Sequence, residues 1–256
     1  MNVRNSLIHL TNRLGVYNHL RDFLYKSRKD NPHRCKFLSQ FFTQGSLCFD
    51  VGANIGETVD LFRSIGVKVI AIEPQAGCAA YLRKKYRNDN QVTIVEKAIS
   101  TQEGKAQMLA CEANQLSTLS EDFKQALDKS QRFGELPDYK RIDVLTTTLE
   151  AMIQEYGRPD FLKIDVEGWE HEVLKSLKSQ VPFISFEYTY PENIHSLELC
   201  IKHLDELGNA QYNLSDHDYS RLEFPQWCSS QELLAWLHRE SAKNPCGNIY
   251  VKYPCA

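Results

Sequence analysis

The chain has 256 residues, 42% hydrophobic and 25% charged, and a formal net charge of −3. That length suits one α/β core with appended helices and leaves two full domains cramped. No run approaches the roughly 20 apolar residues that span a bilayer, and the N-terminus lacks the apolar stretch of a secretory signal, so a cytoplasmic protein is expected, with no nucleic-acid partner.

In chain order, residues 1–45 carry eight Lys or Arg against two Asp, a local charge of +6 that leaves −9 for the remainder. Leu7, Leu10, Leu14, Tyr17, Leu20 and Leu24 recur three or four apart, which predicts an N-terminal helical extension over 1–45, packed on a main domain of 46–256. A solvated basic helix face accounts for this pattern; contact with an anionic membrane surface is the alternative. The eight cysteines form no C-x-x-C pair, so they are expected as free thiols.

From residue 46 short apolar runs alternate with amphipathic segments. Strands are predicted at 47–51, 68–72, 92–96, 161–165, 183–187, 210–214 and 248–252. Helices are predicted at 57–64, 77–86, 147–156, 170–177, 194–207 and 231–239. Such alternation predicts a doubly wound, mostly parallel sheet. Residues 98–144 interrupt it with a hairpin expected around Glu103-Gly104 and then a polar stretch, an excursion that either shapes the pocket, through Asn114, Ser117 and Thr118, or is only surface.

The first strand runs into LCFDVGANIGET. In a doubly wound sheet the ligand lies beside this first strand-to-helix turn, and Gly52 and Gly56 place no Cβ against it. A dinucleotide fingerprint would read G-x-G-x-x-G with a pyrophosphate on the helix N-terminus. Here the spacing is G-A-N-I-G, with Asp50 before it and Glu57 after it. Carboxylates would repel a pyrophosphate; the sulfonium and ammonium of S-adenosylmethionine would instead attract them, with Asn54 as a further polar partner. Glu73, ending VKVIAIE, stands where an acid accepts hydrogen bonds from ribose hydroxyls.

The run DFLKIDVEGWEHEVL reads as a buried strand, a turn at Gly168 and an amphipathic helix. Asp165 and Glu167 project from its ligand edge, and Glu187, ending PFISFE, is expected beside them. A hydroxyl that accepts a methyl group must lose its proton, so Asp165 or Glu167 is the first choice of general base, with His171 second and Lys163 as support. The same acids could instead orient the cofactor's amino group or cap the helix, and magnesium activating the hydroxyl is a third alternative; no metal ligands are assigned. Trp169 is read as packing on the sheet.

Together FDVGANIGET, VIAIEP, LKIDVEGWEHEVL and ISFE resemble the FkbM-type S-adenosylmethionine-dependent methyltransferases, over roughly residues 45–190. The resemblance implies a Rossmann-like seven-stranded methyltransferase sheet with helices on both faces and its last strand antiparallel. It also implies O-methylation of a hydroxyl on a small molecule, sugar or glycan. By the same resemblance Asp50, Gly52, Ala53, Asn54, Gly56 and Thr58 surround the methionine part, Glu73 the ribose and Ala98 the adenine. Gln75 departs from the family, where Asn or Asp is frequent. An NAD-dependent oxidoreductase and a non-catalytic cofactor-binding protein on this fold are the alternatives.

Overall fold

The computed structural model describes residues 32–111, 117–130, 138–215, 221–240 and 245–254. The stripe at 7–24 lies outside them. Seven strands form one sheet: β1 (Leu47–Val51), β2 (Lys68–Ile72), β3 (Val92–Val95), β7 (Phe161–Ile164), β8 (Phe183–Thr189), β9 (Gln211–Ser215) and β10 (Cys246–Lys252). Their spatial order is β3-β2-β1-β7-β8-β10-β9. All the pairings are parallel except those of β10, which runs antiparallel between β8 and β9.

The strands are short and apolar on both faces because both faces are covered. Alternate residues feed two cores. Phe49, Val51, Ile70 and Ile72 face α5 (Leu149–Tyr156), α6 (Glu170–Lys175), α7 (Ile194–Glu206) and α8 (Ser230–Arg239). Cys48, Val69 and Ala71 face α1 (Pro32–Ser39), α2 (Glu57–Ser64) and α3 (Ala76–Lys85). The described end of the N-terminal segment is part of this second core. Phe37 and Phe41 are buried, and the Phe41 ring stacks on Tyr250 at 5.1 Å and lies 5.5 Å from Phe161. Burying a phenylalanine contributes roughly 1.5–3 kcal/mol. Among the described residues no helix is long and apolar enough to cross a membrane, and the seven described cysteines are all free thiols.

The excursion differs from its expected form. β4 (Ala98–Ile99) and β5 (Gly104–Cys111) do flank Glu103, but they are not each other's partners. β6 (Tyr139–Thr147) lies between them, parallel to β4 and antiparallel to β5. Thr147 therefore ends a strand instead of opening a helix, and Thr148 caps α5 by accepting the Ala151 N–H. Between β5 and β6 runs α4 (Glu121–Ser130), whose buried Phe123 lies against Gly168.

Candidate active site

The carboxyl ends of β1, β2, β7 and β8 open onto a cleft of about 270 Å³. Gly52, Ala53, Asn54, Glu57, Thr58, Glu73, Ala98, Asp165, Glu167 and Glu187 all line it. Arg34, Gln75, Lys97, Met108, Ser117, Lys163 and Trp169 line it as well. The acids Glu57, Glu73, Asp165, Glu167 and Glu187 face the cations Arg34, Lys97 and Lys163, and even with one proton held between Glu167 and Glu187 the acids stay in excess, so the cleft favours a ligand that brings positive charge.

The turn after β1 is held by its own amides. The N–H groups of Gly52 and Ala53 both donate to the Ile72 carbonyl (2.9 and 3.1 Å), and the Gly56 N–H donates to the Ala53 carbonyl (2.8 Å). The Asn54 N–H donates to Glu73 Oε2 and the Gln75 N–H to Glu73 Oε1, each at 2.9 Å. Glu73 thus ties the two loops together at the cleft floor, and each of its oxygens keeps acceptor capacity for a ligand hydroxyl. Burial raises its pKa, opposed by these two amides.

Two glycines of this turn serve purposes the sequence concealed. A Cβ on Gly52 would stand 1.8 Å from the Asp165 carbonyl oxygen. Gly56 is absent from the cleft wall, and a Cβ there would stand 2.8 Å from both the Tyr86 hydroxyl and a Leu82 methyl. Its small size makes room for α3 behind the turn.

Asp50 also departs from its expected role as a cofactor contact. It is fully buried beneath the turn, and the parallel register of β1 and β7 sets it beside Lys163, whose Nζ lies 3.4 Å from its Oδ1. Burial raises the Asp50 pKa, and Lys163 counters this. Lys163 Nζ also donates to Asp165 Oδ2 at 3.0 Å, so this buried lysine links the sheet interior to the cleft. His171 lies outside the cleft wall on α6, with Nδ1 3.4 Å from Glu172 Oε1, and burial lowers its pKa.

Asp165, Glu167 and Glu187 come together: one carboxylate oxygen from each lies within 4.8 Å of the others. β7 and β8 are adjacent and parallel, which brings Glu187 to the edge that Asp165 leaves. Glu167 has φ +53, a left-handed conformation that costs a non-glycine residue about 1–2 kcal/mol. Its surroundings enforce it. Thr118 Oγ1 donates to the Glu167 carbonyl (2.6 Å), while the Val166 and Gly168 N–H groups donate to Glu170 Oε1 (3.1 and 3.2 Å). Strain of this kind clusters where a side chain must be aimed. Burial pushes Glu167 well above the usual glutamate range, reinforced by Asp165 and Glu170; burial, Asp165 and Glu167 do the same to Glu187. Glu170 is pushed up to about 7 by burial.

Glu170 was not singled out from sequence, although a glutamate two residues after a turn glycine is the available cue. Ser117 lines the cleft, donating to Gln75 Oε1 (3.3 Å) and accepting the Cys111 N–H (3.0 Å). Asn114 lies outside the described residues. Trp169 both packs on the core and lines the cleft, and its Nε1 finds no partner among the described residues.

An antiparallel strand within an otherwise parallel seven-stranded sheet, over an acid-lined cleft at the strand ends, defines a Rossmann-like domain of the methyltransferase type. The family description "Methyltransferase FkbM domain" matches residues 50–219, and the chain belongs to that family. No curated protein matches the chain. Among solved structures it is similar to the precorrin-6y C5,15-methyltransferase of Geobacter metallireducens GS-15, with 12% identity, 85% of this chain and 86% of that one covered, and a TM-score of 0.43. It is also similar to a Bacillus cereus O-methyltransferase in complex with SAH, with 12% identity, coverage of 88% and 81%, and a TM-score of 0.42. A TehB-like SAM-dependent methyltransferase from Corynebacterium glutamicum gives 8% identity, coverage of 94% and 100%, and a TM-score of 0.43.

Proposed function

We propose that this chain transfers a methyl group from S-adenosylmethionine to a hydroxyl of a small molecule, sugar or glycan. The observation that carries the reading is the cleft's charge together with the state of its loop. The amides of Gly52, Ala53, Asn54 and Gly56 are spent inside the protein, and Glu57 faces the cleft from the first turn of α2. A pyrophosphate needs free amides and tolerates no carboxylate there; a cationic donor needs the reverse. This favours the sulfur donor over the NAD reading.

S-adenosylmethionine supplies a methyl group activated on a positively charged sulfur. Glu73 accepts from the ribose hydroxyls, Ala98 lies along the adenine, and Asp165, partnered by Lys163, faces the donor's positive charge. Glu167 is the general base. Burial among like charges keeps a proton on it in the free enzyme, and an arriving cation lowers its pKa toward the working pH, where a base is most effective. Glu187 shares that proton. The Trp169 N–H is a donor suited to an acceptor oxygen.

Calorimetry on the intact chain tests the donor: S-adenosylmethionine and S-adenosylhomocysteine should bind, and NAD should not. Binding of NAD alone would overturn the reading. The three clustered carboxylates could also gather around a metal ion, but Lys163 already brings positive charge to Asp165. Methyl transfer to a hydroxyl acceptor should therefore survive a chelator; loss that magnesium restores would establish the metal reading instead.

A further inference from the structure

The turn that carries the donor site is gripped from behind by residues that do not reach the cleft. Lys85, at the end of α3, places Nζ 3.0 Å from the Ile55 carbonyl oxygen, 3.3 Å from that of Gly56 and 2.8 Å from Asp60 Oδ2. The next residue, Tyr86, directs its hydroxyl at the Gly56 carbonyl (3.0 Å) and at Asp60 Oδ1 (2.8 Å), which share its one proton. Asp60 is buried on α2, one turn after Gly56, and its N–H donates to the same Gly56 carbonyl at 3.1 Å. At its other end α3 opens beside the ribose acid, and Cys78 Sγ donates to Asn54 Oδ1 at 3.7 Å.

We propose that Lys85, Tyr86 and Asp60 form a positioning clamp that presets residues 52–58 in their donor-binding geometry, and that Gly56 is glycine so that this clamp can close. The inference rests on the donor reading above. Its physical basis is preorganisation: a loop already fixed in its bound shape loses little conformational freedom when the ligand arrives, and that saving appears as affinity. The two carbonyls Lys85 holds belong to the last two residues of the turn, so they fix the direction in which α2 begins. The ammonium and the phenol, both partly buried, satisfy the buried Asp60 carboxylate, which alone would be costly. Burial and Asp60 hold the Tyr86 phenol far above its ordinary pKa, so it remains a proton donor at any working pH. None of the three touches donor or acceptor; they are positioning residues.

The test compares Lys85→Met, Tyr86→Phe and Lys85→Arg with Arg63→Met in the intact chain. Arg63 makes an equivalent surface arrangement at the far end of α2, pairing with Asp89 (2.8 Å) and donating to the Val67 carbonyl (2.7 Å). Lys85→Met should weaken S-adenosylhomocysteine binding about tenfold, equivalent to about 1.4 kcal/mol. Tyr86→Phe should weaken it by about threefold and Lys85→Arg less than Lys85→Met, with the donor KM rising and kcat at saturating donor little changed. Arg63→Met should lower the melting temperature and leave affinity within about twofold. Unchanged affinity in both Lys85→Met and Tyr86→Phe, or an equal loss in Arg63→Met, overturns the clamp. If the unaltered chain binds no S-adenosylhomocysteine, the donor reading fails and amide exchange in the ligand-free chain decides the clamp separately. Exchange at Asn54 and Gly56 should be about tenfold faster in Lys85→Met than in the unaltered chain; equal rates overturn it.

Discussion

Glu167→Gln is expected to lower kcat by about 10²–10⁴ while leaving S-adenosylhomocysteine affinity within about threefold, because a general base contributes about that much and the amide keeps the shape. The activity of the unaltered chain should rise with pH, with a midpoint well above the usual glutamate value of 4.5, and the variant should lose that limb. Stability moves the other way. The folded chain holds the Glu167 proton more tightly than the unfolded one, so the group's contribution is fully present below about pH 4.5 and is lost as pH rises through the raised value. The variant should therefore melt with the unaltered chain near pH 4 and above it at pH 8, each kcal/mol amounting to about 2–4 °C in a domain of this size. A fully active Glu167→Gln would transfer the base to Glu187 or Asp165.

Gly52→Ala is expected to be the most damaging single methyl group in the turn. Gly52 and Gly66 have nearly the same positive φ, +84 and +82, so alanine at either meets a similar left-handed penalty of about 1–2 kcal/mol. Their surroundings differ: nothing lies within 4 Å of a Cβ on Gly66, whereas one on Gly52 would drive into the Asp165 carbonyl at 1.8 Å. Gly66→Ala should fold with about that small loss, and Gly52→Ala should lose more than about 4 kcal/mol or fail to fold. Denaturant midpoints of the two proteins check this. Equal losses would mean that conformation alone, not close packing of β1 on β7, selects glycine here.

The sheet was legible because its central strands are short and mostly apolar, as in VIAI of β2 or the Phe161, Leu162 and Ile164 of β7, with a polar residue following at the ligand edge. Glu73 and Asp165 were legible for the same reason, since a parallel sheet delivers the residue after each strand to one edge; Glu167 follows in the next turn, and Glu187 lies within β8, which continues to Thr189. β6 was not legible. Within YKRIDVLTT only Val144, Thr146 and Thr147 are buried, so no continuous apolar face marks it, and its pairing with β5 joins positions as far apart as Gly104 and Thr146. The turn at Glu103 reverses the chain without naming its partner. Asp50 looked like a ligand contact because its spacing from Gly52 is suggestive, but the register that sets it beside Lys163 depends on a strand over a hundred residues away. Gly56 looked like a ligand glycine, and the side chain it accommodates, Tyr86, lies 30 residues on.

β10 supplies a different kind of constraint. As the chain leaves the ribosome, β8 is made with one flank open, and its missing neighbour is the last strand of the sheet in sequence. Asn248 fills the position across from Glu187, so the wall behind that carboxylate is finished only once 246–252 have emerged. Nascent chains released before then would expose an unsatisfied edge and hold an incomplete acid cluster. Truncation shortly upstream of Cys246 should therefore yield aggregating rather than partly active protein.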